Sequence, residues 1–181
     1  MTAEHFDYKT ECMKAMQDLS KDSRTIFLGQ TVEYDGSPMF KSMSLVPPEQ
    51  KYEMPVAEEM QMGISIGLSL LNFVPVSIYP RIDFLICAIN QLVNHLDKCE
   101  EMSKGQFKPK VIIRTQIGNT KPLYPGIQHC GDYTEGLRKM CKNIKIVKIT
   151  RAKDVRKEYS KALKRNKSTI LIEKPTGGWK K

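Results

Sequence analysis

The 181 residues, 40% hydrophobic and 27% charged, fit one ordinary globular domain with its own core. No apolar run is long enough to span a membrane, and the first residues lack the pattern of a secretory signal. The net charge of +9 is uneven, because sixteen Lys or Arg accompany three acids from residue 138 onward and give that part +13, which leaves −4 for the rest.

In chain order the pattern alternates between helical and strand-like segments. We predict helices over 3–19, about 55–71, 83–99, 134–142 and 152–165, and strands over 25–29, 74–80, 110–115, 144–149 and 168–173. Turn residues place loops at 34–38 and around Pro47 and Pro48. This alternation predicts an α/β domain with a parallel sheet over residues 1–173, in which ligands bind at the carboxyl ends of the strands. Residues 174–181 form a basic, unanchored tail.

The five cysteines form no Cys-x-x-Cys pair, and their number is odd. This pattern indicates reduced thiols in a cytoplasmic protein. Zinc binding together with His95 and His129 is an alternative, but no spacing between these residues matches a known zinc arrangement. We therefore predict no metal ligands in this chain.

Glu58 has the most unusual setting of the acids. It follows Pro55, which can open a helix, and it begins a segment too apolar and glycine-rich for a solvated surface helix. A helix start favours the carboxylate anion, while removal from water favours the protonated form, and this balance suits a proton-transferring group. The alternative is an ordinary acid at a helix start. Glu59 lies one residue further round the helix and should point elsewhere.

Several standard motifs are missing from the sequence. It contains no phosphate-binding Gly-x-x-x-x-Gly-Lys loop, no Gly-x-Gly-x-x-Gly after the first strand and no Gly-x-Ser-x-Gly turn. The pair Gly63 and Gly67 indicates close packing of a helix against a neighbour. The residues alone therefore support no conventional single-chain enzyme.

A set of short motifs nevertheless follows one another along the chain. They are Leu28-Gly29-Gln30-Thr31-Val32-Glu33-Tyr34-Asp35-Gly36, Met54-Pro55-Val56-Ala57-Glu58, Gly63-Ile64-Ser65-Ile66-Gly67, Val74-Pro75-Val76, Phe84, Ala88-Ile89-Asn90-Gln91, Ile112-Ile113-Arg114 and Gln128-His129. In this order they resemble the pyrimidine-binding domain of thiamine-diphosphate-dependent enzymes, in the N-terminal part of the β subunit of 2-oxoacid dehydrogenases. The resemblance implies a transketolase-like three-layer sandwich, with a mostly parallel sheet flanked by helices.

The resemblance also implies roles for particular residues. Glu58 matches the glutamate that hydrogen-bonds the aminopyrimidine ring and so activates thiamine diphosphate to its ylid. Phe84 matches the aromatic residue that stacks on this ring, although helical spacing alone would make it a core residue. His129 matches a histidine at the active-site entrance. Tyr34 and Asp35 belong to a loop near the cofactor, with a plain turn as the alternative.

The chain departs from the family in four respects. Gln61 stands where the family has an aromatic residue, and Ile78 stands where it has an acid. The loop over 118–128 contains Lys121, Pro122 and Pro125 in place of the usual small, glycine-rich sequence, and the chain stops before the family's carboxyl-terminal domain. Arg114 and Lys121 could bind an anionic substrate or simply solubilise the end of a strand. The substrate, a small carbonyl compound or a 2-oxoacid, cannot be inherited from the dehydrogenases because of these differences.

The partners follow from what the chain lacks. Gly131-Asp132-Tyr133 only begins like the family's Gly-Asp-Gly…Asn motif, so we expect a separate subunit to hold the diphosphate and Mg²⁺. The result is a hetero-oligomeric oxidoreductase or transferase that is inactive as this chain alone. We also expect self-association through the helix of Gly63 and Gly67. The alternative is a non-catalytic binding module whose basic last third contacts an acidic partner or nucleic acid.

Overall fold

A parallel sheet forms the centre of the molecule, as the sequence predicts. The computed structural model describes residues 7–35, 37–121 and 124–175. The strands are β1 (Thr25–Gly29), β2 (Lys51–Glu53), β3 (Val74–Tyr79), β4 (Ile112–Gln116), β5 (Lys145–Ile149) and β6 (Thr169–Glu173). All five neighbouring pairs are parallel, in the order β2-β1-β3-β4-β6-β5. The short edge strand β2 is the one that the sequence pattern did not predict.

Helices cover both faces of the sheet. They are α1 (Tyr8–Ser20), α2 (Pro38–Ser42), α3 (Glu58–Leu70), α4 (Ile82–Leu85), α5 (Cys99–Met102), α6 (Thr134–Met140) and α7 (Val155–Lys164). One hydrophobic cluster joins α1, α2 and α7 to one face, and a second joins α3, α4 and α6 to the other. The architecture is therefore the predicted three-layer α/β sandwich.

Two predicted segments differ in detail from the structure. The predicted helix over 83–99 is helical but not one regular α-helix, because a 3₁₀ turn (Ile86–Ala88) and a π-helical stretch (Gln91–Leu96) separate α4 from α5. The loop predicted at 34–38 ends where α2 begins, and Ser37 Oγ accepts a hydrogen bond of 3.1 Å from the Met39 N–H.

Arg114 is not a solvent-exposed residue at the end of a strand, which corrects the sequence interpretation. Its guanidinium is completely buried and binds the equally buried Glu173 carboxylate through two hydrogen bonds of 2.9 and 3.3 Å. Ser42 and Tyr159 complete this polar cluster, at 2.7 Å from Arg114 Nη1 and 2.5 Å from Glu173 Oε1, respectively. Burial opposes the charge on Arg114, but the Glu173 carboxylate holds its pKa above the usual value. Arg114 is thus an internal structural cation.

The ends of the chain bear on the predicted domain boundary. The Lys174 N–H donates to the Ile149 carbonyl at 2.9 Å, and Pro175 is buried, so the fold continues two residues beyond position 173. The rest of the predicted tail, and residues 1–6 of the predicted first helix, lie outside the described residues. Within the described ranges, every helix is too short or too polar to cross a membrane.

Candidate active site at the carboxyl edge of the sheet

The strand order creates a natural ligand position beside β1. From β1 the chain moves outward to β2 and then crosses back to β3 on the other side of β1. Such a reversal leaves a crevice at the carboxyl ends of the two inner strands, where open α/β sheets bind their ligands. The helices α3 and α4 both begin at this edge, since α3 follows β2 and α4 follows β3.

Glu58 is the first residue of α3 and lies at this edge. Its side chain is partly buried, and its carboxylate makes no hydrogen bond or ion pair with the described part of the chain. Its backbone carbonyl accepts a hydrogen bond of 3.3 Å from the Tyr79 hydroxyl at the end of β3. Glu59 differs, because it is exposed and accepts a hydrogen bond of 3.0 Å from the Asn90 amide. The two acids therefore have different surroundings, as the sequence predicts.

A buried glutamine fixes the start of α3 against the sheet. The Gln61 amide donates to Ser77 Oγ at 3.1 Å and to the Ile78 carbonyl at 3.0 Å, both on β3. Its own oxygen accepts a hydrogen bond of 3.1 Å from Gln30, which follows β1. Because a buried amide is costly unless it is paired, this network specifies where the first turn of α3 lies. Sequence reasoning missed this role, since its one signal was the replacement of an aromatic residue of the family by Gln61.

Phe84 and His129 come together at the same edge. Phe84 lies in α4, His129 ends a 3₁₀ turn (Ile127–His129), and the two rings meet edge to face with centroids 5.5 Å apart. His129 Nδ1 is buried without a hydrogen-bond partner in the described residues. Gly118 lets the His129 backbone pass close to it, because a Cβ there would lie 1.9 Å from the His129 carbonyl oxygen.

Tyr34 and Asp35 lie in an exposed loop that follows β1, and 69% of the Tyr34 surface is accessible. The Glu53 carboxylate organises this loop, because it accepts hydrogen bonds from four consecutive backbone N–H groups, at 2.7, 2.8, 2.7 and 3.4 Å for residues 31–34. Thr31 has a positive φ of 60° in this turn. Sequence reasoning missed Glu53, since an acid at the end of an edge strand has no recognisable pattern.

Asp132 belongs to a local structural cluster. It accepts hydrogen bonds from the Thr134 N–H at 3.2 Å and from Lys148 Nζ at 2.5 Å. Burial opposes ionisation, but these contacts lower the Asp132 pKa to about 2. Among the described residues, no three His, Cys, Asp or Glu side chains are grouped so that they could hold a metal ion.

The fold and this edge define a transketolase-like α/β domain. A solved structure described as "Split gene transketolase, inactive beta4 tetramer" matches 92% of this chain and 50% of its own chain, with a TM-score of 0.69 and 19% sequence identity. At that identity the match shows the shared fold. No family model matches the sequence.

The sequence is similar to β subunits of 2-oxoacid dehydrogenases. The pyruvate dehydrogenase E1 component subunit beta of Pisum sativum, a mitochondrial protein, is 24% identical over 86% of this chain and 44% of its own length. The 3-methyl-2-oxobutanoate dehydrogenase subunit beta of Mycobacterium tuberculosis is 28% identical over 74% of this chain and 39% of its length. These findings confirm the predicted resemblance. The chain spans less than half of either relative.

Proposed function

We propose that this chain is one half of a split thiamine-diphosphate-dependent enzyme, in which it binds the aminopyrimidine ring while a second chain binds the diphosphate and Mg²⁺. The observation that carries this proposal is the position of Glu58 at the carboxyl edge of the sheet in a transketolase-like fold. The Glu58 carboxylate makes no hydrogen bond or ion pair with the described part of the chain, so it is available to a ligand. The similarity to E1 β subunits supports the same conclusion.

The residues at this edge fit an aminopyrimidine. The Glu58 carboxylate is a free acceptor for a ring N–H, and Phe84 offers an aromatic ring that is only partly buried. When bound, thiamine diphosphate supplies a nucleophilic carbon that attacks a substrate carbonyl. In this chain, Glu58 holds and exchanges the proton at the ring nitrogen, and Phe84 orients the ring. His129 contacts the substrate, and Tyr34 and Asp35 contact the cofactor from the loop that Glu53 organises.

The outer face of α3 supports an assembly of several chains. The helix buries Gln61, Ser65 and Ser69 together with Met62, whereas its apolar residues Met60 and Ile64 are 46% and 40% exposed. Three polar residues on the buried side and apolar residues on the outer side depart from the pattern of an ordinary surface helix. Beside the helix lies an apolar groove of about 330 Å³, lined by Ile26, Leu28, Tyr52, Met54, Ile64, Leu68 and Phe73. An exposed apolar face of this kind is typical of a protein interface.

Gly63 and Gly67 lie on an open surface, because no described atom apart from their chain neighbours and the backbone of their own helix lies within 4 Å of where their Cβ atoms would be. The close helix packing that the sequence predicts is therefore not made within the described part of the chain. We assign the α3 face to self-association and to the diphosphate-binding subunit. The complex then acts on a small carbonyl compound or 2-oxoacid as an oxidoreductase or transferase, and we place it in the cytoplasm because all five thiols are free.

The arginines of the basic last third do not favour the alternative of a nucleic-acid-binding module. All four arginines between residues 138 and 175 form ion pairs with carboxylates of this chain. These pairs are Arg138–Glu135, Arg151–Asp154, Arg156–Asp18 and Arg165–Glu158. Arginines that are already paired within a protein are less available for phosphates.

Cofactor removal tests the proposed function. The native complex is purified through a tagged copy of this chain, stripped of thiamine diphosphate and Mg²⁺, and assayed for 2-oxoacid decarboxylation and for ketol transfer. We expect no turnover in the stripped complex and recovery when both are added back. Full turnover after stripping, or recovery with Mg²⁺ alone, would contradict the proposal.

A further inference from the structure

Arg81 occupies a position beside His129 to which the sequence motifs gave no role. It follows β3 and immediately precedes α4, and its side chain is partly buried. The position that a Cβ on Gly118 would occupy lies 2.9 Å from Arg81 Nη1 and 1.9 Å from the His129 carbonyl oxygen. The missing side chain of Gly118 therefore lets the guanidinium lie against the backbone of His129.

The guanidinium has no anionic partner within the described part of the chain. Its nearest acid in sequence, Asp83, makes no ion pair with it, and Asp83 Oδ1 instead accepts a hydrogen bond of 3.1 Å from the Gly131 N–H. Arg is always charged in proteins and carries five N–H donors in a planar fork that matches carboxylate and phosphate oxygens. A partly buried guanidinium without such a partner is therefore a ready site for an anion.

Two buried polar atoms on residues next to Arg81 are also unsatisfied. Asp83 lies two positions further along the chain, and His129 approaches Arg81 through its backbone. His129 Nδ1 and Asp83 Oδ2 are both buried without a hydrogen-bond partner in the described residues. Because buried polar groups are normally paired, we infer that a further molecule completes their hydrogen bonds. The imidazole can donate to an anion alongside Arg81, whereas Asp83 Oδ2 accepts and therefore requires a donor such as a hydroxyl group or a water molecule.

We propose that Arg81 binds the anionic group of the substrate, a carboxylate or a phosphate, and thereby sets the substrate class at the His129 end of the site. The assignment of the anion to a substrate rests on the proposed function. The anion site itself belongs to this chain alone and can be tested without the partner. Arg81 contributes by binding, and Gly118 contributes by leaving room for it.

The anion site is tested on the isolated full chain by NMR titration at constant ionic strength. The probes are inorganic phosphate and pyruvate, and the signals are the His129 imidazole and the Gly118 and Gly131 amides. We expect saturable shifts with at least one probe. Arg81→Gln should weaken that binding about tenfold or more, since a charge-assisted hydrogen bond is lost. The affinity of Arg81→Lys for the probe should lie between those of the wild type and Arg81→Gln, because lysine keeps the charge without the planar fork.

Lys139→Gln is the control, because Lys139 is an exposed cation in the last turn of α6 and has no proposed role in binding. It should leave both titrations unchanged, and circular dichroism checks that every variant folds. Shifts with phosphate alone would indicate a phosphorylated substrate, and shifts with pyruvate alone would indicate a carboxylate substrate. Either result supports the proposal. No saturable shift in the wild type, or equal weakening by Arg81→Gln and Lys139→Gln, would overturn it. If anion binding persists while the native complex proves independent of thiamine diphosphate, the proposed function fails and the anion site stands.

Discussion

In the assembled enzyme, Glu58→Gln is expected to lower turnover by about 10²- to 10⁴-fold, the usual contribution of a proton-transferring side chain. The substitution preserves size and one oxygen acceptor but removes the group that can take up and return a proton at the pyrimidine ring. The backbone at this position should not move, because Tyr79 and Gln61 hold the first turn of α3 through contacts that do not involve the Glu58 side chain. The measurement is steady-state turnover together with hydrogen–deuterium exchange at the thiazolium carbon.

Glu59→Gln is the matched control for this experiment. Glu59 has the same chemistry one residue later, but it is exposed and bonded to Asn90. Its substitution should change turnover by less than about threefold, while both variants should assemble with the partner as the wild type does. Normal turnover and normal exchange in Glu58→Gln would remove Glu58 from the mechanism.

Arg114→Met should have the largest effect on stability of any single change considered. The substitution leaves the buried Glu173 carboxylate without its cation, and breaking a buried ion pair in this way costs about 3–5 kcal/mol. The Tyr159 hydroxyl still donates to Glu173, but a single neutral donor cannot replace a bidentate guanidinium. Urea unfolding followed by circular dichroism measures the loss as a lower midpoint at an unchanged slope.

Two controls separate the buried pair from other effects of charge. The double variant Arg114→Met with Glu173→Leu should recover most of the lost stability, because an apolar replacement of both partners leaves no isolated charge. Arg156→Met breaks an exposed pair with Asp18 and should cost less than about 1 kcal/mol. If Arg114→Met unfolds at the same urea concentration as Arg156→Met, the buried pair does not stabilise the fold in the way described.

The sequence predicted the sheet well because its inner strands are short, apolar and β-branched. The strand at 110–115 matches β4 to within two residues, since Ile112 and Ile113 are buried on both faces of a central strand. The edge strand β2 escaped prediction, because Lys51-Tyr52-Glu53 is polar and mostly exposed and pairs on one side only. The predicted helix over 83–99 was less accurate in its interior, because π-helical geometry replaces the regular α-helical turn at Gln91–Leu96.

The candidate site was predicted only through the ordered motifs. Periodicity could suggest that Glu58 opens a helix, but not that the helix starts at a strand-end crevice. Arg114 was misread because an arginine at the end of a β-branched strand usually reaches solvent, and its buried partner lies 59 residues away in sequence. Arg81, Gly118 and Glu53 were missed for a related reason, since their contacts join residues that only the folded chain brings together.

Calorimetric titration with thiamine diphosphate tests the central claim most directly, namely that this chain is half of a cofactor site. The isolated chain should give no saturable heat, because it lacks the motif that would hold the diphosphate. A mixture with the co-purified partner and Mg²⁺ should bind one cofactor per pair of chains, with a Kd of about 10 µM or tighter. Stoichiometric binding to the isolated chain, or none to the mixture, would contradict the account.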